Sequence, residues 1–205
     1  VRPDYRDAAN KGRSANRDNP AVPVDEILDA LDAQRRAGRI LAFGASNWSA
    51  ARLAITQAWA KRRGVEGFCA NQVEWSLATR DRTLPGDPTC LSVLSEDFAY
   101  HQQTRLPLVA YSSQAQGFFD TTRVKRPPVY DSPANHARRE RAIALAQRHQ
   151  VSANHMALGW LTSQPFPVVA LVGPRTKAQI GDSVIAGDLL LTANEVADLS
   201  GPQRW

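Results

Sequence analysis

Long apolar runs are missing from this 205-residue chain. None approaches the roughly 18–20 residues of a membrane-spanning helix. The first twenty residues, VRPDYRDAANKGRSANRDNP, hold no apolar core of the kind a secretory signal requires. Cysteine is scarce: Cys69 and Cys90 stand in no metal-ligand spacing and read as reduced thiols of a cytoplasmic protein. His101, His136, His149 and His155 form no HExxH-like pair, so the sequence offers no metal site. One-signed charge over the fold is also missing. The net charge is +5, but Arg2, Arg6, Lys11, Arg13 and Arg17 stand against only Asp4 and Asp7, so residues 1–17 alone carry +3. The near balance elsewhere argues against a nucleic-acid-binding face.

What remains is ordinary for a soluble globular domain: 43% apolar and 22% charged residues. Residues 1–20 are too polar to support a strand or helix and are expected to form a disordered tail before a single domain over 21–205. The domain alternates. An amphipathic helix over 24–38 carries Ile27, Leu28 and Leu31 on one face and ends at Gly38. Strands are expected over 40–45, 68–73, 106–111 and 168–172, the last buried on both faces. Helices are expected over 50–63 behind Ser49, over 91–103, from Ser132 to His149, after Ser152, after Thr176, and after Thr192. Thr176/Gln179 and Thr192/Glu195 have capping-box spacing. The basic, proline-containing loop 118–132 is longer than most connections, which suggests that it covers a ligand.

Strands alternating with helices imply parallel βα units, which present ligand-binding groups at the carboxyl ends of their strands. Read there, the chain offers Ser46 and Asn47, then Gln72, then Tyr111 to Ser113, then Gly173 to Thr176. The last group belongs to VVALVGPRTKAQIGDS, an apolar strand running through a glycine turn into a capped helix. That arrangement gathers free N–H groups and partial positive charge where a phosphate binds, with Arg175 as a planar partner. Amides for a carboxamide, a ring for stacking and a turn for phosphate are the parts of a nucleotide site. Each residue alone also has a structural use as turn, cap or core.

The segments AGRILAFGASNWS, ANQVEWSL, LPLVAYSSQAQGFF and LVGPRTKAQIGDS resemble, in order and spacing, the second half of the aldo-keto reductase family. The resemblance covers roughly residues 16–200. It implies an α/β fold, a partial TIM (β/α)8 barrel of about four βα units, and NADPH-dependent reduction of small-molecule carbonyl substrates. The family has no Rossmann glycine motif, and none occurs here. By this resemblance, Ser46, Asn47 and Gln72 hold the nicotinamide carboxamide of NADP and Tyr111 stacks on its ring. Ser112, Gln114 and Gln116 cross the pyrophosphate, and Gly173, Arg175, Thr176 and Gln179 take the adenosine 2′-phosphate. Ser183 stands where the family often has Asn against the adenine, and serine reaches less far.

The family's acid–base chemistry uses an Asp, a Tyr and a Lys on early strands and a His on the fourth. The first three have no counterpart here: Tyr5 and Lys11 do not match those motifs, and Asn16 stands where the His would be. The sequence therefore leads to the expectation of a C-terminal half-barrel that holds cofactor and does not reduce carbonyls alone, since its tyrosine-centred proton donor is missing. Three readings stay open: an oxidoreductase completed by its other half, a non-catalytic NADP-binding module, and a truncated product without activity. Open strand edges near Ile40 and Val168 further suggest self-association or a complementary half-barrel as partner.

Overall fold

The computed structural model describes residues 23–87, 89–122 and 127–202. The expected tail over 1–20, with Tyr5, Lys11 and Asn16, lies outside the described residues. Among the described residues, seven α-helices and four strands follow in the order α1 (Val24–Arg36), β1 (Ala45–Ser46), α2 (Ala50–Arg63), β2 (Asn71–Glu74), α3 (Ser95–Thr104) and β3 (Leu108–Tyr111). They continue as α4 (Pro133–His149), α5 (Ala153–Thr162), β4 (Val168–Ala170), α6 (Lys177–Ile185) and α7 (Ala193–Ser200). The strands form one all-parallel sheet in the order β1-β2-β3-β4. This is four βα units of an α/β barrel, as expected.

The helix starts follow their local chemistry. The hydroxyls of Ser49, Ser132, Ser152, Thr176 and Thr192 each accept the backbone N–H three residues on, at 3.2–3.4 Å. Gln179 departs slightly from the expected capping box. Its Oε1 accepts the Arg175 N–H at 2.6 Å, one residue before the cap. Asp97 starts two helices at once, accepting from Ala50 N (2.9 Å) and Leu94 N (3.1 Å). At the other end, Gly64 closes α2 with φ near +64°, a conformation glycine adopts without a Cβ penalty.

The strands are shorter than the sequence suggests, and the sheet's edges explain it. The expected strand over 40–45 reduces to Ala45–Ser46, and Leu41 stands 95% exposed. Cys69 N donates to Phe43 O and Ala45 N to Ala70 O, so this outer strand is paired on one side only. The strand over 168–172 reduces to Val168–Ala170. It is not buried on both faces: Val169 is half exposed, and Leu171 and Val172 are exposed beyond it. Its apolar composition suits two-sided burial, but β4 is also an outer strand of the described sheet, with one edge unpaired there. The strand over 68–73 shifts to Asn71–Glu74, and that over 106–111 to Leu108–Tyr111. The helix over 91–103 begins only at Ser95, because Leu91–Val93 run extended beside β2. Glu74 N donates to Leu91 O (2.8 Å), and Leu91 and Val93 bury alternate side chains.

Two apolar cores result. The larger lies between the sheet and α4, α5 and α7, where Trp75 meets Trp160 at 5.2 Å and Phe166 at 5.9 Å between ring centroids. The smaller holds Leu28, Leu53, Trp59 and Phe68 beneath α1 and α2. Exposed large apolar side chains include Leu41, Val169, Leu171 and Val172 at the outer strands and Ile180, Val184 and Ile185 on α6. No described helix is long and apolar enough to cross a membrane.

Candidate cofactor-binding site

The polar residues picked from the sequence fall into two groups. The first lies at the strand ends. Ser46 is paired in register with Gln72, so Gln72 sits level with the end of β1 although β2 itself runs on to Glu74. Asn47, just past β1, is 5% exposed and left-handed, with φ of 59°. Its N–H donates to Gln72 O at 2.8 Å. Its side-chain Oδ1 accepts twice, from the Tyr111 hydroxyl at 2.9 Å and from Leu91 N at 3.2 Å. Its Nδ2 is buried and makes no hydrogen bond among the described residues. A buried amide donor without a partner costs on the order of 1–3 kcal/mol unless a ligand takes it. Tyr111, half-buried, has its hydroxyl pushed well above the ordinary phenol range, first by burial and then by its bond with Cys90.

The second group lines an open cleft of about 1260 Å³. One wall carries Ser112, Gln114 and Gln116 after β3. The other carries Gly173, Arg175, Gln179 and Ser183 between β4 and α6. Thr176 is not among the lining residues and serves as the α6 cap. The walls are tied together: Ser113 Oγ donates to Leu171 O, and Gln114 Nε2 donates to Ser183 Oγ at 3.3 Å. The Arg175 side chain is exposed and forms no ion pair among the described residues. The start of α6 adds N–H groups and the positive end of a helix dipole beside it.

Backbone strain collects here. Ser112, Ala115 and Gln116 adopt φ of 54°, 47° and 55°, and Asn47 joins them at the strand ends. Of the other left-handed non-glycine residues described, Arg105 and Gln150 end helices. Such conformations cost of order 1–3 kcal/mol each and gather at ligand-holding loops.

Sequence reasoning missed a second polar cluster. Glu74, 6% exposed at the end of β2, accepts from the Tyr130 hydroxyl (3.1 Å) and Arg82 Nη2 (3.3 Å). Tyr130 anchors the far end of the loop over 118–132, and the carboxylate and burial push its hydroxyl well above the ordinary range, burial first. Also missed were Asn154 and Asp182, which line the cleft, and His155, which bonds Asp182 at 2.7 Å. Only the three-residue spacing of Ser152 and His155 gave a local signal.

A sequence model of the Aldo/keto reductase family matches residues 14–201. The chain belongs to the aldo/keto reductase family. It is 25% identical over 179 residues to the uncharacterized oxidoreductase YrpG of Bacillus subtilis (strain 168), covering 83% of this chain and 51% of that protein. It is 24% identical over 197 residues to the probable aldo-keto reductase 1 of Glycine max, covering 90% and 52%. The chain thus spans about half the length of the curated relatives it matches. The fold matches a Klebsiella pneumoniae aldo/keto reductase crystallised with NADP and acetate, with a TM-score of 0.64 and 21% identity over 89% of this chain and 56% of that one. The thermostable aldo-keto reductase Tm1743, in complex with the inhibitor epalrestat, matches with a TM-score of 0.61 and 20% identity over the same shares.

Proposed function

We propose that this aldo/keto reductase chain binds NADP(H) across the strand ends and the cleft, and supplies the cofactor side of a carbonyl reductase. The observation that carries this reading is the cleft itself, with Ser112, Gln114 and Gln116 facing Gly173, Arg175, Gln179 and Ser183. The orphaned Asn47 Nδ2 fits a carboxamide oxygen, and Gln72 and Ser46 flank it in register. Tyr111, fixed by Asn47, offers its ring for stacking. The strained loop over 112–117 fits the pyrophosphate, and Arg175 with the first turn of α6, capped by Thr176, fits the 2′-phosphate. When bound, the cofactor supplies a hydride.

Carbonyl reduction also needs a proton for the developing alkoxide. Among the described residues, the Tyr111 and Tyr130 hydroxyls donate to Asn47 and Glu74, and burial raises all three of Tyr100, Tyr111 and Tyr130. None has a lysine or histidine bonded to its hydroxyl. On this reading the proton donor lies outside the described residues, and the described residues supply the cofactor side of the reaction. Exposed apolar residues at both outer strands support a partner there, either a complementary half-barrel or a second copy of this chain. A monodisperse monomer at micromolar concentration in light scattering would argue against any such partner being required.

Titration with NADPH, followed by the fluorescence of the five tryptophans, tests the binding reading. Saturable quenching is expected, and its absence would leave a folded chain without the proposed role. An assay of NADPH oxidation with a reactive aldehyde tests the second point. Turnover that Tyr111→Phe or Arg175→Ala abolishes would show that the chain is catalytic alone.

A further inference from the structure

Glu74 ends β2 in register with Tyr111, yet its side chain does not line the cleft. A carboxylate this deeply buried needs partners for its charge, and its two oxygens hold different ones. Oε1 accepts the Tyr130 hydroxyl at 3.1 Å, with Arg80 Nη1 3.9 Å away, and Oε2 accepts Arg82 Nη2 at 3.3 Å. Each oxygen starts a path to a different part of the strand-end site. The first path runs through Tyr130. Its ring is fully buried and packs against Phe118, 6.4 Å between centroids, and the Ser112 side chain bonds its hydroxyl. Ser112 and Phe118 bracket the loop in which Ser112, Ala115 and Gln116 are left-handed. Strained backbone persists only where its surroundings over-determine it, and Tyr130 grips this loop at both ends.

The second path runs through Arg82. The same guanidinium donates to Cys90 O at 2.9 Å and to Ser92 Oγ, so it fixes the extended stretch 90–92 beside β2. Leu91 N, inside that stretch, is one of the two donors that orient Asn47 Oδ1. We propose that Glu74 is a positioning residue for the cofactor: one buried carboxylate that holds the strained 112–117 loop through Tyr130 and the Asn47 amide through Arg82. Glu74 touches no ligand itself. It acts by keeping both parts of the site in shape before the dinucleotide arrives, which lowers the ordering cost of binding. The proposal rests on the NADP reading above and adds the residue that joins its nicotinamide end to its pyrophosphate loop.

Titration of the full chain with three ligands separates the two paths. NADPH engages every part of the site, 2′-phospho-ADP-ribose lacks the nicotinamide, and adenosine 2′-phosphate lacks the pyrophosphate as well. Tyr130→Phe is expected to weaken NADPH and 2′-phospho-ADP-ribose alike, by roughly 3- to 10-fold. Arg82→Met is expected to weaken NADPH by a similar factor and to leave 2′-phospho-ADP-ribose unchanged. Glu74→Gln should weaken both dinucleotide-type ligands, and adding Tyr130→Phe to it should cost no more than about twofold further, since the two act as one unit. Adenosine 2′-phosphate should bind all variants equally. A purely structural Glu74 would lower the melting temperature without changing the ratios among the three ligands, and unchanged ratios in Tyr130→Phe and Arg82→Met would overturn the proposal while leaving NADP binding in place. These two variants carry the test even if Glu74→Gln fails to fold. A wild-type chain that binds none of the three ligands would overturn both readings.

Discussion

The Tyr111 hydroxyl donates to Asn47 Oδ1 across 2.9 Å, joining two strand ends that lie 64 residues apart. With Leu91 N also donating to that oxygen, the amide is held in one orientation and its Nδ2 is kept buried and unused. Removing the hydroxyl takes away one of the two anchors. A neutral hydrogen bond is worth about 0.5–1.5 kcal/mol net. Tyr111→Phe is therefore expected to weaken NADPH binding by roughly 2- to 10-fold. Adenosine 2′,5′-bisphosphate, which has no nicotinamide, should bind as before. Parallel fluorescence titrations with the two ligands check this.

Arg175 stands exposed at the cleft wall and beside the start of α6. Its backbone N–H is already taken by Gln179, so its contribution to a ligand comes from the guanidinium. Hydrogen bonds to charged groups are worth about 1.5–3 kcal/mol, so Arg175→Ala should weaken NADPH binding by roughly 10- to 100-fold. Binding of NADH, which lacks the 2′-phosphate, should change little. An equal loss for both cofactors would place Arg175 elsewhere than on the phosphate.

The parts of this fold that were legible in the sequence are the ones governed by near neighbours. The Ser49, Ser132, Ser152, Thr176 and Thr192 caps each act over three residues. Strand limits were not legible, because pairing partners set them. Ile40 and Leu41 have strand composition, yet β1 begins only at Ala45. The apolar Leu91–Val93 run pairs beside β2 rather than starting a helix, which no local pattern distinguishes. At the candidate site, the glycine turn before α6 pointed to Arg175 and Gln179. The Glu74–Tyr130 bond spans 56 residues and the His155–Asp182 bond 27, so neither left a local trace.

The large core depends on Trp160. It is fully buried, meets Trp75 at 5.2 Å, and donates its indole N–H to Ser200 Oγ at 3.0 Å. That bond also fixes the end of α7. Trp160→Ala is expected to cost about 3–5 kcal/mol, combining lost transfer energy with a cavity. Trp160→Phe keeps an aromatic ring against Trp75 and should cost less than Trp160→Ala. Urea denaturation of the three proteins gives the ranking, and equal midpoints would contradict this packing.

Acid should destabilise the fold through His101. The ring is fully buried, and its Nδ1 donates to Leu106 O at 2.7 Å while Nε2 has no hydrogen-bond partner among the described residues. Burial lowers its pKa below the ordinary 6.5, against smaller raising effects from the Leu106 bond and Asp97. The unfolded chain therefore binds a proton before the folded one does. Stability from the neutral ring is present above pH 6.5 and falls as pH drops through the window below it. Glu195 acts lower down. Its bond to His149, 2.7 Å long, and then the Thr192 backbone bond hold its carboxyl at about 2 against 4.5. Its contribution is complete above pH 4.5 and is lost as pH falls toward 2. Melting temperatures measured from pH 8 to pH 5 should decline in the wild-type chain and decline less steeply in His101→Leu, although that variant starts lower because Leu106 O loses its donor. Glu195→Gln should leave the slope in that range unchanged and flatten the curve only below pH 4.5. Equal slopes for wild type and His101→Leu would show that the buried ring does not set the upper step.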